Sequence, residues 1–477
     1  MKKIIFKLKF ASHLKNLICF FAMLLYICFA FCGTLHAAEQ SKTAVFPRLE
    51  NDPKIQTFVI DNPSWQEIFE IALWASGAEA STYDLYIEKI NAIAKELKDA
   101  MASGIKEKAD QKEKAEYILN FLHKNVFKNY SANQTRIDTL LKDGRYNCVS
   151  SAVMYSVLAK YAGLDPKGVI TADHAFVTIT IDDEIIDIET TNKYGFDPGK
   201  RKEFQDNFGK ATGFAYTPPG NYRNRQTISL LELDSIIIRN RIADLEKTNK
   251  FAECIPLAID RSALLKNRKD PTESKLFTDP NSELQDVLFN LGASYLNKKM
   301  ELQALDWADT IKNLKIEKFE IDKKRLSEYE VAIVNNMIAK DVRSKKFNDA
   351  RNNLDKNTDR LDTKKVLEFK GMILEAELTE IVNTSKTDET TLAALKKIDD
   401  AASTGLIEKK RIDQLKQIGT QNRVAYYHNT FASHYNKKDL DGAEAVLVKA
   451  AAEFPNHKQF LNDQKTLEKA RTLLAKQ

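Results

Sequence analysis

Residues 143–189, DGRYNCVSSAVMYSVLAKYAGLDPKGVITADHAFVTITIDDEIIDIE in one-letter code, change period half-way along. Asp143-Gly144 breaks the preceding chain. Cys148 to Ala162 then reads as a helix, with Val149, Ala152, Val153, Ser156 and Val157 facing inward. Gly163 suits its C-terminal end and Pro166 bars continuation. Beyond that point the period is two. Residues 167–171, 175–181 and 184–189, rich in Val, Ile and Thr, read as strands, with Asp182-Asp183 as the turn between the last two.

If Asp182-Asp183 is the centre of a hairpin, Ile181 faces Glu184, Thr178 faces Asp187 and Phe176 faces Glu189. Side chains alternate along a strand, so His174, Phe176, Thr178 and Thr180 share a face with Asp187 and Glu189. At roughly 3.3 Å per residue, Glu189 is offset from His174 by about 7 Å and Asp187 by about 13 Å. A glutamate can cover the shorter gap and hold the imidazole tautomer, provided that no bulge interrupts the hairpin. Cys148, meanwhile, opens a helix, where free N–H groups and the positive dipole end favour a thiolate. An imidazole beside it favours the thiolate further and can later protonate a leaving amine.

Each residue alone reads more blandly. A lone Cys148 would be a core cysteine and a lone His174 a strand-end histidine. Together, the Gly144–Ala152 helix start, Asp173-His174-Ala175-Phe176-Val177 and Asp187-Ile188-Glu189-Thr190-Thr191 resemble the transglutaminase-like superfamily over about 110 residues, from Tyr117 to Gly199 and its aromatic tail. That resemblance implies a papain-like order of Cys, His and acid, with Glu189 in place of the family's aspartate. It also implies attack on an amide carbonyl, a thioester, and release to water or an amine. Members are proteases, amidases, transglutaminases or inactive scaffolds. The Cys148 N–H is one expected oxyanion donor. Asn147, Tyr146 and Tyr130 are candidates for the second, or for substrate contacts.

Upstream, apolar residues at helical spacing predict helices over residues 65–74, 83–101, 112–126 and 136–141. Residues 38–63 read as a loosely packed entry segment. Residues 194–227, dense in Gly, Pro and aromatic residues, read as irregular chain lying on the catalytic domain. Ser229-Leu230-Leu231-Glu232 has capping-box spacing. From there to Gln477 only helices are expected. A motif recurs there: Asn249-Lys250-Phe251, Lys298-Lys299-Met300, Lys345-Lys346-Phe347 and Lys437-Lys438-Asp439-Leu440, each followed by Cys254, Ala304, Ala350 or Ala443. The steps are near 47 residues, the last near twice that, which places a degenerate unit near residue 393. Helical hairpins resembling tetratricopeptide repeats, but longer than the usual ~34 residues, fit this pattern better than a plain bundle.

At the N-terminus, Lys2, Lys3, Lys7, Lys9 and Lys15 precede an apolar run over residues 17–31 and a small-residue site at Leu35-His36-Ala37. This is the layout of a secretory signal peptide; an uncleaved anchor is the alternative. The five lysines account for the whole formal charge of +5, so the remainder is neutral and carries no nucleic-acid footprint. Cys19, Cys28 and Cys32 fall in the same segment. Cys148 and Cys254 remain, too few for a disulfide scaffold. A bridge between those two would silence the nucleophile.

No zinc, calcium or phosphate-loop motif is present, so no metal and no cofactor are expected. His123, His428, His434 and His457 show no partner in the sequence and read as surface residues. The paired lysines read as solvated turns, and Trp307 and Tyr426-Tyr427 as helix packing.

The expectation is an α+β chain: a signal peptide over 1–37, the entry segment over 38–63, a papain/transglutaminase-like domain over 64–227 in which helices pack on a small antiparallel sheet, and an all-α repeat domain over 228–477. The expected function is that of an exported (periplasmic or secreted) cysteine amide hydrolase or acyltransferase acting on peptide or protein amides through Cys148, His174 and Glu189. The repeats would hold a substrate or protein partner, and no membrane span would remain after signal cleavage. A non-catalytic peptide-binding module on an envelope scaffold is the other class considered.

Overall fold

A computed structural model describes residues 46–104, 110–198, 225–266, 268, 271 and 276–474. The leader read over 1–37 and most of the aromatic stretch after Gly199 lie outside the described residues. The chain is mixed α and β, mainly helical, with one small antiparallel sheet. Before that sheet come α1 (Trp65–Ala75), α2 (Tyr83–Gly104), α3 (Gln111–Asn125), β1 (Asn129–Tyr130), α4 (Ile137–Asp143) and β2 (Arg145–Tyr146). The starts of α1 and α3 are fixed locally: Ser64 and Glu67 form a capping box, and the Asp110 carboxylate accepts from Glu113 N.

At the centre stands α5 (Cys148–Tyr161). Every residue from Val149 to Ala159 is buried, where the sequence suggested a single inward stripe. The reason is composition: between its Val and Leu residues the helix carries only small or neutral groups, Ser150, Ser151, Ala152, Ser156 and Ala159. Neighbours can therefore pack on all sides, as expected for a helix with no charged face. α1, α3 and the sheet do so. Gly163, at φ +81°, takes the left-handed conformation that ends the helix.

The sheet has the order β5-β4-β3-β6, all antiparallel: β3 (Pro166–Ile170), β4 (Ala175–Ile181), β5 (Glu184–Ile188) and β6 (Gln226–Ile228). The β4–β5 register is the one read from the sequence, with Ile181 facing Glu184 and Thr178 facing Asp187. Asp182 and Asp183 have φ of 49° and 63°. Two consecutive positive φ values make the tight turn whose twist matches the flanking strands, so the register is set without a bulge. Strand β6 was not expected. It is three residues long and sits at the end of a stretch that reads as irregular.

The C-terminal half is a series of helical hairpins: α6 (Leu230–Lys247) with α7 (Phe251–Leu265), α8 (Pro280–Asn297) with α9 (Glu301–Lys312), α10 (Lys323–Arg343) with α11 (Phe347–Lys356), α12 (Thr363–Thr384) with α13 (Asp388–Ala402), and α14 (Lys409–Asn436) with α15 (Leu440–Glu453). α16 (Lys458–Leu474) packs on α14 and α15. The recurring motif marks the hairpin turns. Asn249, Lys299, Lys345 and Lys438 all have φ between 57° and 62°. The small residues that follow, Cys254, Ala304, Ala350 and Ala443, are each fully buried where the second helix meets the first. The degenerate unit is α12–α13, whose turn is built differently, with Thr387 capping α13.

The boundary read at 227/228 falls inside β6, two residues before α6, and the apolar core runs through it without a break from Ile55 to Ile333. Helix α6 is buried throughout Leu230–Ile238 and packs against α1, α5 and β3 as well as α7. The described part of the entry segment is tied down, contrary to its loose reading. Asp52 accepts from Trp74 Nε1 at 2.9 Å, Arg48 pairs with Asp260 at 2.6 Å, and Phe46 lies against Trp307. Beyond Ile333 the core divides into three separate clusters. No helix among the described residues is long and apolar enough to cross a membrane.

Candidate active site

Cys148 is the first residue of α5, and Asn147 is its cap. The Asn147 Oδ1 accepts from Val149 N and Ser150 N, both at 3.0 Å, while Asn147 N donates to Ser150 Oγ at 2.9 Å. The Asn147 Nδ2 donates to Ala132 O at 3.2 Å. This cap satisfies the next two amides and leaves the Cys148 N–H with no acceptor among the described residues. A free N–H beside a half-exposed sulfur is what an oxyanion donor requires. Both described cysteines are free, so no Cys148–Cys254 bridge forms. Cys254 is a buried packing residue of α7, and burial first, then nearby carboxylates, push its thiol up to about 12.

His174 stands just before β4, and its Nε2 lies 2.6 Å from Glu189 Oε2. Both side chains are almost entirely buried. Cys148 opens onto the same cleft as the ring and acts on its charge, and Nδ1 is the ring nitrogen that Glu189 does not engage. Burial pulls the His174 pKa down. The charge on Glu189, the hydrogen bonds to Cys148 and Glu189 and the charge on Cys148 together outweigh it and hold the ring well above the ordinary histidine range. Asp187, on the same strand face, is taken elsewhere: Arg225 donates to both of its oxygens at 2.7 Å.

The loop after β5 locks Glu189 in place. Its Oε1 accepts from Thr191 N at 3.1 Å and from Thr191 Oγ1 at 2.7 Å. Its backbone N–H donates to Gly195 O at 2.8 Å. The loop returns so closely that a β-carbon on residue 195 would overlap the Glu189 carbonyl oxygen, so this position needs glycine. The Thr190 Oγ1 lies 2.8 Å from Ser151 Oγ, which in turn donates to Cys148 O. The loop carrying the acid is thereby joined to the helix carrying the sulfur.

His123, read as a surface residue, belongs to this shell. Its Nε2 donates to Thr190 O at 3.1 Å, its ring meets Phe127 and Tyr146 edge-on, and burial lowers its pKa to about 4, against the raising effects of Thr190 and Glu189. It is therefore neutral near pH 7. The sequence gives it no partner, and only the return of the 190–195 loop supplies one. His428 and His434 also have partners, Asp463 at 2.9 Å and Asp439 at 2.7 Å.

The two tyrosines named with Asn147 differ. Pairing of β1 with β2 sets Tyr130 beside Tyr146. Tyr146 is buried and its hydroxyl donates to Thr191 O at 3.4 Å; burial and then the Glu189 charge raise its pKa to about 12. The Tyr130 hydroxyl has no hydrogen-bond partner among the described residues. Burial raises its pKa, followed by the charges on Cys148 and Glu189. It is thus a half-buried donor within electrostatic reach of the sulfur.

Cys148 and His174 open onto a cleft of about 240 Å³. The loop at Asn133 and Thr135 bounds one side, the β3–β4 loop another, and a face of α6 that includes Ile236, Arg239 and Asn240 the third. The Asn240 Nδ2 donates to Thr135 Oγ1 at 3.1 Å and fastens α6 to the first side. Among the described residues no group of His, Cys, Asp and Glu side chains has the arrangement of a metal site. No protein-family model matches the chain, and no curated protein matches it.

Proposed function

We propose that this chain is an exported cysteine amide hydrolase or acyltransferase, with a papain/transglutaminase-like catalytic half and a tetratricopeptide-like helical array that holds a peptide or protein. One observation carries the proposal: the buried His174 ring is held by Glu189, 2.6 Å away, and lines one cleft with the Cys148 sulfur, which also acts on its charge. Glu189 alone would satisfy a buried histidine. A sulfur on the same cleft, with a free helix-terminal N–H beside it, is what acyl transfer needs. Export rests on the basic and then apolar leader, and the transglutaminase-like reading on the three motifs and their order.

In this reading the Cys148 thiolate attacks an amide carbonyl, and the oxyanion is met by the Cys148 N–H. The His174 imidazolium gives its proton to the departing amine as the C–N bond breaks. Water or a second amine then attacks the thioester and loses a proton to His174, which expels Cys148. Glu189 keeps Nε2 protonated and the ring turned to the sulfur throughout.

Alkylation tests the proposal. Cys148 reacts with iodoacetamide well below about pH 8, and His174→Ala removes that advantage. Cys254, buried and with its thiol pushed up to about 12, is the internal control and stays unlabelled in the folded protein. Labelling of Cys148 that is slow and indifferent to His174→Ala would refute the enzyme and leave the peptide-binding scaffold.

A further inference from the structure

The α6 wall of the cleft carries an arginine whose charge the protein does not fully use. The Arg239 side chain is 44% exposed, and its Nε is 3.9 Å from Glu283 Oε1, beyond hydrogen-bond distance. Glu283 is engaged more closely by Arg261, whose Nη1 donates to Glu283 Oε2 at 2.8 Å. Arg261 also lines the cleft and is fully buried. Its Nη2 donates to Thr278 O at 3.0 Å, while its Nε has no partner among the described residues. Two guanidinium groups thus share one carboxylate, which leaves one positive charge on the cleft side. The other charged pair on this wall is self-contained, with Lys247 Nζ 2.8 Å from Asp244 Oδ1. Asp173 also lines the cleft, from the β3–β4 loop just before His174.

A planar guanidinium that is exposed to a cleft and short of hydrogen-bond acceptors suits a carboxylate, which can take two parallel N–H bonds. The space is also small. At about 240 Å³ it falls below the roughly 300–1,000 Å³ of sites for drug-sized ligands, so it takes only a short segment of substrate. We propose that Arg239, backed by Arg261, forms a carboxylate-binding subsite of the Cys148 cleft, and that the substrate carries a carboxylate within one or two residues of the amide attacked. An acidic side chain and a peptide C-terminus share this chemistry. The inference rests on Cys148 being the nucleophile and adds the class of acyl group it meets.

Chloroacetyl-peptides test it without a known substrate. The probes are chloroacetyl-glycine and chloroacetyl-diglycine, each as the free acid and as the amide, together with chloroacetyl-aspartic acid α-amide, whose side-chain carboxylate is free, and its asparagine counterpart. The readout is the rate of Cys148 alkylation by intact mass. At one length or more, the acid outpaces its neutral partner by about tenfold or more in the wild-type protein. Arg239→Gln brings that ratio to about one, and Arg239→Glu inverts it. Advantage confined to the glycine series identifies a C-terminal carboxylate, and advantage confined to aspartate an acidic side chain. No advantage for any acid, or one that survives Arg239→Gln, overturns the subsite. In that event His174-dependent labelling by iodoacetamide, a neutral reagent that does not need Arg239, still stands for the nucleophile. If iodoacetamide labelling is itself ordinary, the nucleophile reading fails and the subsite with it.

Discussion

His174 and Glu189 meet at 2.6 Å across a hairpin in which they are not directly opposed; the glutamate side chain spans an offset of two residues. The first expectation concerns pH. The folded pKa of His174 lies well above its unfolded value, so the imidazolium, the acid that the proposed reaction uses, persists above the ordinary histidine range. Activity falls only as pH rises through the raised value. Glu189→Gln removes the carboxylate charge, moves the alkaline limb of kcat/KM to lower pH, and lowers the rate by about tenfold or more. Stability follows the same sign: the contribution of the charged ring is full below about pH 6.5 and is lost as pH rises through the folded value. A pH–rate profile and urea melts across that range check both statements.

The two tyrosines near the sulfur separate by function. Tyr130→Phe removes a hydroxyl that has no protein partner, and lowers kcat by up to about 10²-fold while KM changes little, the pattern for a donor that acts in the transition state. Tyr146→Phe removes a bond to Thr191 O and acts through the loop, so its effect is smaller and is accompanied by a lower melting temperature. Equal effects of the two changes on kcat would remove Tyr130 from the oxyanion site.

Gly195→Ala is the most direct way to displace Glu189 without changing Cys148, His174 or Glu189 itself. The added methyl group pushes the 190–195 loop off the Glu189 carbonyl. Activity is lost, and Cys148 labelling slows toward that of His174→Ala, although far-UV circular dichroism is retained.

Asp234 lies on α6, 1% exposed, and neither carboxyl oxygen has a partner among the described residues. Burial raises its pKa well above the usual carboxylate range. An acid with a raised folded pKa stabilises fully only below its unfolded value, and that contribution is lost as pH rises toward the folded one. Asp234→Leu, close in shape, is expected to stabilise the protein by about 1–3 kcal/mol near pH 7 and to flatten the decline of stability above about pH 4. Denaturant melts at pH 5 and pH 8 decide the matter.

How much of this was legible depended on how local the cause was. The β4–β5 register was readable because Asp182-Asp183 fixes it over two residues, and Glu189 over Asp187 followed from distance alone. The hairpin turns of the array were readable as well, since Asn249, Lys299, Lys345 and Lys438 repeat one backbone conformation. Contacts closed by distant chain were not. His123 acquires its role from a loop that lies about 70 residues later in the sequence and returns beneath it. Strand β6 pairs with β3, far from it in sequence, and three residues carry too little pattern to reveal it. The exposed Arg239 reads in the sequence like any other basic residue on a helix.

Beyond Ile333 the apolar clusters are separate, so the distal hairpins are held mainly by their nearest neighbours. Hydrogen exchange is expected to open residues 363–474 at lower denaturant than residues 65–265, with Cys148 labelling unchanged while they open. A single cooperative transition across both regions would contradict this.

Helix α6 is at once the third side of the Cys148 cleft and the first rung of the array. Cutting the chain before Leu230 would therefore not release a trimmed but intact N-terminal half. It would produce a trough missing one bank, with Asn240 no longer fastened to Thr135, Arg239 gone and the flank of α5 bare to solvent. Shortening from the far end is the gentler surgery, and any minimal version of this protein has to carry its opening hairpins along.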